Sequence, residues 1–138
     1  MNALDREYMR VLSTPREIVL GSYVFDDVEV ADNDVSTKRG LMFRQDIPDD
    51  FCMLFKFDDD AVRSFWMKNC EVPIVVVFCD RSWKILAVHR MEVKETADDS
   101  ELKRYSSISP ARYAIEFRDK WPEDFVLDIR VGSHAEVR

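Results

Sequence analysis

Residues 72–79 read Val72-Pro73-Ile74-Val75-Val76-Val77-Phe78-Cys79, and the fold class turns on them. From Ile74 to Phe78 every position is apolar, with no polar face. A short run of Ile, Val and Phe of this kind reads as a central strand buried on both sides, because a half-exposed strand would alternate. Downstream, Asp80 to Ser82 is a turn signal, and Trp83 to His89 is the natural hairpin partner. Upstream, Ser64 to Lys68 and Phe51 to Phe57 read as strands. Val28 and Val30 alternate with Glu29 and predict a strand with one wet face. Ile18 to Leu20 and Tyr23 to Phe25 predict a hairpin around Gly21-Ser22. Toward the C-terminus, Tyr113 to Phe117 and Val126 to Val131 read as strands. Trp121-Pro122-Glu123-Asp124 forms a turn or one helical turn between them, and residues 134–137 finish an edge strand.

Helical signals are few. Asn2 caps a short helix through Leu12, with Leu4, Tyr8, Val11 and Leu12 at helical spacing and Pro15 just past its end. Asn33 to Arg44 reads as helical in its second half, with Asp34 as cap and Gly40 as a point of close approach. Glu95 to Lys103 is polar and reads as a loop. Many short strands joined by turns predict a mainly β, mainly antiparallel sandwich or small closed sheet with one or two short helices. Parallel α/β architecture is disfavoured because crossover helices are missing. The expected core includes Leu54, Phe65, Met67, Val76, Phe78, Ile115 and Ile129. The expected organisation is an N-terminal helical extension over residues 1–16 and a single β-sandwich domain over 17–138.

Composition bounds the function. The chain has 138 residues, 46% of them hydrophobic, enough for a core without metal or disulfide staples. Its net charge of −7 argues against a protein built to hold phosphate backbones, so no nucleic acid is expected. Met1 to Arg16 has no apolar signal core, and the longest apolar run falls far short of the roughly 20 residues a bilayer needs. Cys52, Cys70 and Cys79 are odd in number and sit in apolar stretches, which fits buried free thiols in a reducing cytoplasm better than a disulfide. The acidic clusters, Asp26-Asp27, Asp49-Asp50, Asp58 to Asp60 and Asp98-Asp99, read most simply as solvated loops. The sharper reading is an acidic face that binds a basic partner or mimics nucleic acid. Asp32-Asn33-Asp34 lacks the spacing and the Gly of a calcium loop, and no Cys or His spacing matches zinc.

Two stretches carry a resemblance. One is Arg39-Gly40-Leu41-Met42-Phe43-Arg44, followed by Met53-Leu54-Phe55-Lys56-Phe57. The other is Phe65-Trp66-Met67-Lys68-Asn69, then Val72-Pro73-Ile74 and Phe78. In this order and spacing, with Tyr105-Ser106-Ser107, Pro110 and Tyr113 to Glu116 behind them, the chain resembles domain-of-unknown-function family 192. The resemblance spans about Val28 to Val131. It implies a jelly-roll-like antiparallel β-sandwich and no established activity. The chain departs from the family pattern at Cys70, where Thr is usual, at Val75, where Asp is usual, and at Cys52, where Gly is usual. Arg118-Asp119-Lys120 and Gly132-Ser133 also replace a Gly and a Gly-Asp.

Candidate binding residues follow from the two motifs. On a strand, Trp66 and Lys68 share a face, so an ammonium beside an indole could hold an anion. The plain alternative is a Lys stem lying over Trp with its charge in water. Arg39 offers a bidentate donor for a carboxylate or phosphate, or else a cation at a helix C-terminus. Asn69 completes the motif, and Arg39, Lys68 and Asn69 are expected to point into one concavity. Glu116, on a predicted strand, is expected to pair with Arg39 or Lys68, a structural pair being favoured over general-base work. Cys70 lacks an evident His partner for thiol catalysis.

The leading reading is a non-enzymatic binding module with a small polar pocket for an anionic small molecule or carboxylate, formed by Arg39, Trp66, Lys68, Asn69 and Glu116. The loss of Asp at Val75 favours binding over turnover, and no cofactor or metal is implied. One alternative is an assembly protein using the acidic loops, with a protein partner or self-association through residues 1–16. Another is an enzyme of unknown reaction, with Lys68 as electrophile and Glu116 as base; no catalytic residue is assigned.

Overall fold

The structure is a computed structural model that describes Asn2, Leu4 and residues 14–95, 98–120 and 128–138. Its elements run β1 (Ile18–Leu20), β2 (Tyr23–Phe25), β3 (Asp27–Ala31), α1 (Asp34–Arg39), β4 (Phe51–Ala61) and β5 (Ser64–Phe65). They continue with β6 (Ile74–Cys79), β7 (Ile85–Met91), a single 3-10 turn (Asp99–Glu101), β8 (Tyr105–Ser106), β9 (Ala111–Arg118) and β10 (Glu136–Val137). The fold is mainly β.

The apolar run behaves as its pattern demands. Every residue of β6 is fully buried, and the strand lies between β9 and β7 in a five-stranded sheet of order β3-β4-β9-β6-β7. Alternate residues of β6 feed two separate cores. Ile74, Val76 and Phe78 join Met53, Phe55 and Ala114 on one face. Val75, Val77 and Cys79 join Leu54, Ile115 and Phe117 on the other. That second face is covered by a small sheet of order β10-β1-β2, whose Ile18, Leu20 and Phe25 close the sandwich. The first face is covered by Leu41 and Ile47 from the segment after α1, by Met67, and by Tyr105 of β8, which pairs with β5.

The β1–β2 hairpin turns at Gly21, whose φ of 59° suits glycine. An added Cβ there would stand 2.3 Å from the carbonyl oxygen of Asp128, so the turn also needs the space. The β6–β7 hairpin is held at its turn by Asp80, whose side chain accepts from the backbone N–H groups of Ser82 and Lys84. Leu54, Met67, Val76, Phe78, Ile115 and Ile129 are buried, while Phe65 is half-buried against the first core.

Several expectations are corrected. The large sheet is antiparallel as expected except at one pair, β3 and β4, which run parallel. The chain between them holds α1, which supplies the crossover that a parallel pair requires. That helix occupies the first half of residues 33–44, not the second. Its cap is Asn33, not Asp34: the Asn33 side chain accepts from the Ser36 N–H at 2.8 Å. Ser64 to Lys68 is strand only through Phe65, because Met67 to Cys70 closes a turn in which the Cys70 N–H donates to Met67 O. The strand expected at Val126–Val131 fails over Asp128–Val131, although Ile129 is buried. The turn expected at residues 121–124 lies outside the described residues, as does nearly all of the helix expected over 2–12. Arg16 already belongs to the domain, since its N–H donates to Arg138 O.

Candidate functional site

A cleft of about 390 Å³ opens on the first face of the large sheet. One wall is the end of α1 and the segment Gly40 to Met42; the other is Phe57, Val62 to Trp66, Cys70 and Arg104, with Glu116 of β9 in the lining. The volume is at the lower end of those that hold small molecules. Local chemistry sets each wall. Gly40 ends α1 with φ 48° and ψ −129°, a conformation hostile to side chains. A Cβ at Gly40 would sit 3.4 Å from the Phe55 ring and 3.6 Å from Oε1 of Glu116, ordinary contact distances, so it is the backbone angle rather than space that favours glycine. Asn69 adopts φ 57°, the left-handed region that Asn tolerates best among non-glycine residues, and its carbonyl accepts from the Phe43 N–H at 2.8 Å. This bond ties the two sequence motifs together.

The opposite wall is pinned by Ser107, which is fully buried. Its Oγ accepts from the Arg63 N–H and donates to Ser109 O, while its own N–H donates to Arg63 O. Arg63 is held in turn: its Nη2 reaches Asp59, its Nε donates to Ala111 O, and its guanidinium lies 4.0 Å from the Phe57 ring centre. Arg104 stacks 3.9 Å over Trp66.

The charge distribution is uneven. Three of the acidic clusters are ion-paired in part within the chain: Asp59 with Arg63, Asp60 with Arg81 and Arg112, Asp99 with Lys68 and Asp49 with Lys120. Asp98 caps the 3-10 turn instead. Lys38, Arg39 and Arg104 line the cleft, and no carboxylate among the described residues pairs with any of them.

Glu116 is the opposite case. It is a cleft-lining carboxyl only 6% exposed, with no hydrogen bond or ion pair to any described residue. Its cross-strand neighbours are Met53 and Val76, neither able to hydrogen-bond strongly. Burial therefore pushes its pKa up to about 8, so it carries its proton at neutral pH. The Cys70 thiol is pushed up to about 12, first by burial and then by the charge of Glu116, which makes it a poor nucleophile. Among the described residues no group of three or more His, Cys, Asp or Glu gathers that could hold a metal ion.

Of the residues singled out from sequence, Arg39, Trp66 and Glu116 line the cleft together; Lys68 and Asn69 do not. Lys68 lies 5.2 Å over the Trp66 ring and pairs with Asp99 at 2.7 Å, outside the cavity. Asn69 serves the turn. The expected pairing of Glu116 with Arg39 or Lys68 does not form: Arg39 shares the cleft lining without an ion pair to it, and Lys68 is engaged by Asp99. Val75 also falls elsewhere: it packs on the second face, away from the cleft, so the missing Asp has no bearing on it. Sequence reading missed Lys38, Arg63 and Arg104. Arg104 adjoins the Tyr105-Ser106-Ser107 block, which was the available signal; Arg63 is brought in by a long-range contact with Ser107 and had none.

The family model of DUF192, an uncharacterized ACR family, matches residues 19–137. The chain belongs to that family. No curated protein matches it. A solved structure from Sinorhizobium meliloti 1021, described as a candidate transcription regulator, is 25% identical, with a TM-score of 0.69 over 88% of this chain and 90% of that one. A protein of unknown function from Novosphingobium aromaticivorans DSM 12444 is 20% identical, with a TM-score of 0.69 over 87% of this chain and 83% of that one. The second likeness is one of fold alone.

Proposed function

We propose that this member of an uncharacterised family is a non-enzymatic binding module whose cleft takes a small anion, with a carboxylate held by Arg39 and Arg104 beside Trp66. One observation carries the reading. In a chain of net charge −7, three cleft-lining cations are left without a carboxylate partner among the described residues. Guanidinium groups hold carboxylates through paired hydrogen bonds, and a stacked Arg loses less freedom on binding. The enzyme reading with Lys68 and Glu116 is weaker, since Lys68 faces away from the cavity and a protonated Glu116 is no base at neutral pH. The assembly reading through acidic loops is weaker too, since three of the four acidic clusters already spend part of their charge on ion pairs within the chain. The description of the Sinorhizobium relative supports no nucleic-acid role here, given the acidic balance.

Calorimetric titration with benzoate and with inorganic phosphate tests the proposal. Wild type should bind at least one of them, with affinity falling as salt rises. Arg39→Ala combined with Arg104→Ala should weaken it by about tenfold or more, while Lys68→Ala should leave it unchanged. Equal binding by the double variant would refute the site.

A further inference from the structure

The cleft pairs a cationic mouth with an uncharged acid deeper in its lining, and that pairing selects among anions. Resting on the anion-binding reading above, we propose that Glu116 is the specificity-determining group: it stays a neutral carboxylic acid and donates a hydrogen bond to the ligand. The ligand class is then a small organic carboxylate that carries a second, neutral oxygen acceptor, such as a hydroxy or keto acid, on a flat apolar body.

The geometry supports each part. Glu116 is more than nine-tenths buried, lines the cavity and has no partner among the described residues. No fully buried side-chain nitrogen or oxygen among the described residues lacks a hydrogen-bond partner, so the unpartnered Glu116 carboxyl opens onto the cavity, where a ligand oxygen can reach it. The mouth takes the charged end through Arg39 and Arg104, and Phe57, Phe65 and Trp66 offer rings for the body between. A carboxylate at Glu116 would repel the anion; a carboxylic acid attracts an acceptor.

The charged and titratable groups around Glu116 are accounted for. Lys38 and Arg39 face it from α1, Arg63 from the segment before β5, Arg104 from the segment before β8, and Cys70 from the turn before β6. On the same face of the large sheet, two strands away on either side, stand Glu29, paired with Arg44, and His89, bonded to Ser106 O. Arg118 lies two residues along β9 on that face. None forms an ion pair with Glu116, and the proton is held by burial, its pKa raised to about 8. The Cys70 thiol, raised to about 12, stays protonated throughout the range used below.

The test compares phenylacetate with mandelate and phenylglyoxylate, which add a hydroxyl or a keto oxygen to the same body, by calorimetric titration at about pH 6.5 and about pH 9.5. Wild type should prefer an oxygen-bearing probe by about tenfold at the lower pH. At the higher pH it should bind every probe more weakly and lose the preference. Glu116→Gln keeps a donor that does not titrate, so its preference should persist at both pH values. Glu116→Leu has no donor and should show none at either. Thermal melts establish that both variants are folded. A wild-type preference that ignores pH, or one that survives in Glu116→Leu, overturns the assignment while leaving the anion cleft standing. Failure of wild type to bind any of the three probes overturns the assignment, and the anion cleft falls with it only if benzoate and inorganic phosphate also fail to bind.

Discussion

Replacing Glu116 by Gln should flatten the dependence of folding stability on pH. The folded chain holds the Glu116 proton up to about pH 8, whereas the ordinary value is 4.5. Below that ordinary value both folded and unfolded chains are protonated, and the stability associated with the retained proton is whole. As pH rises, the unfolded chain ionises first and is favoured by its charge, so stability is lost progressively until the pH passes the folded value. Each unit of pH in this window costs up to about 1.4 kcal/mol, so the fall between pH 5 and pH 8 is on the order of 3 kcal/mol. Against a domain stability of roughly 5–15 kcal/mol, that is large. The carboxyl is almost fully buried, so solvent screening takes little away. The Gln amide does not titrate, and groups common to both proteins cancel in the difference. Urea unfolding of the two proteins at each pH from 5 to 8 measures it. Wild type should lose about 3 kcal/mol more than the variant across the series. Parallel curves within about 0.5 kcal/mol would refute the reasoning and mean that Glu116 is ionised in the fold, held by a cation such as Arg39.

Cys70→Thr should give Glu116 a stronger donor across the cleft wall, favour its ionised form and shrink the same pH-dependent loss; an unchanged profile would show that the two side chains do not meet. Gly40→Ala should destabilise by about 1–3 kcal/mol, read from the shift of the urea midpoint, because its backbone angles resist a side chain. Asn69→Gly should be nearly neutral, whereas Asn69→Val should cost about 1–2 kcal/mol; equal losses would mean that the Asn69 side chain, and not its left-handed backbone, is what the fold needs.

How legible the fold was depended on the range of the interactions involved. The β6 run and the two hairpins rest on local periodicity and turn chemistry, so Ile74 to Phe78, Gly21 and Asp80 announce themselves. The parallel β3–β4 pair does not, because its register, Asp27 beside Phe51 through Ala31 beside Phe55, is formed across a crossover and leaves no mark in either strand. The helix was misplaced within its segment because Asn33 and Asp34 are both good caps, and the Ser36 hydroxyl that favours Asn33 acts through a capping box. Phe65 looked like core by alternation, yet the turn at Met67 to Cys70 ends the strand early and leaves Phe65 half-buried. Arg39, Trp66 and Glu116, which line one cleft, all lie in or beside unusual motifs and so stand out in the sequence. Lys68 lies outside the cleft because strand alternation stops at Phe65, three residues before it.

The departures at Val75 and Cys70 look alike in sequence but differ in consequence, and the two-faced sheet explains why. Val75 and Val76 are neighbours in the chain yet belong to different cores. An acid at Val75 would be buried under the β10-β1-β2 sheet beside Phe117, with no path to Glu116 except through the sheet itself. Valine there perfects an apolar interface and says nothing about turnover. Cys70 lies on the other side, in the cleft, within reach of the Glu116 charge. A thiol is a weak hydrogen-bond donor where a hydroxyl is a good one, so cysteine leaves Glu116 unpartnered among the described residues. Burial of an unpartnered acid favours its protonated form, and a retained proton makes the group a donor toward whatever enters. The chemistry of this cleft therefore depends less on a group that has been lost than on a carboxyl that has been left without company.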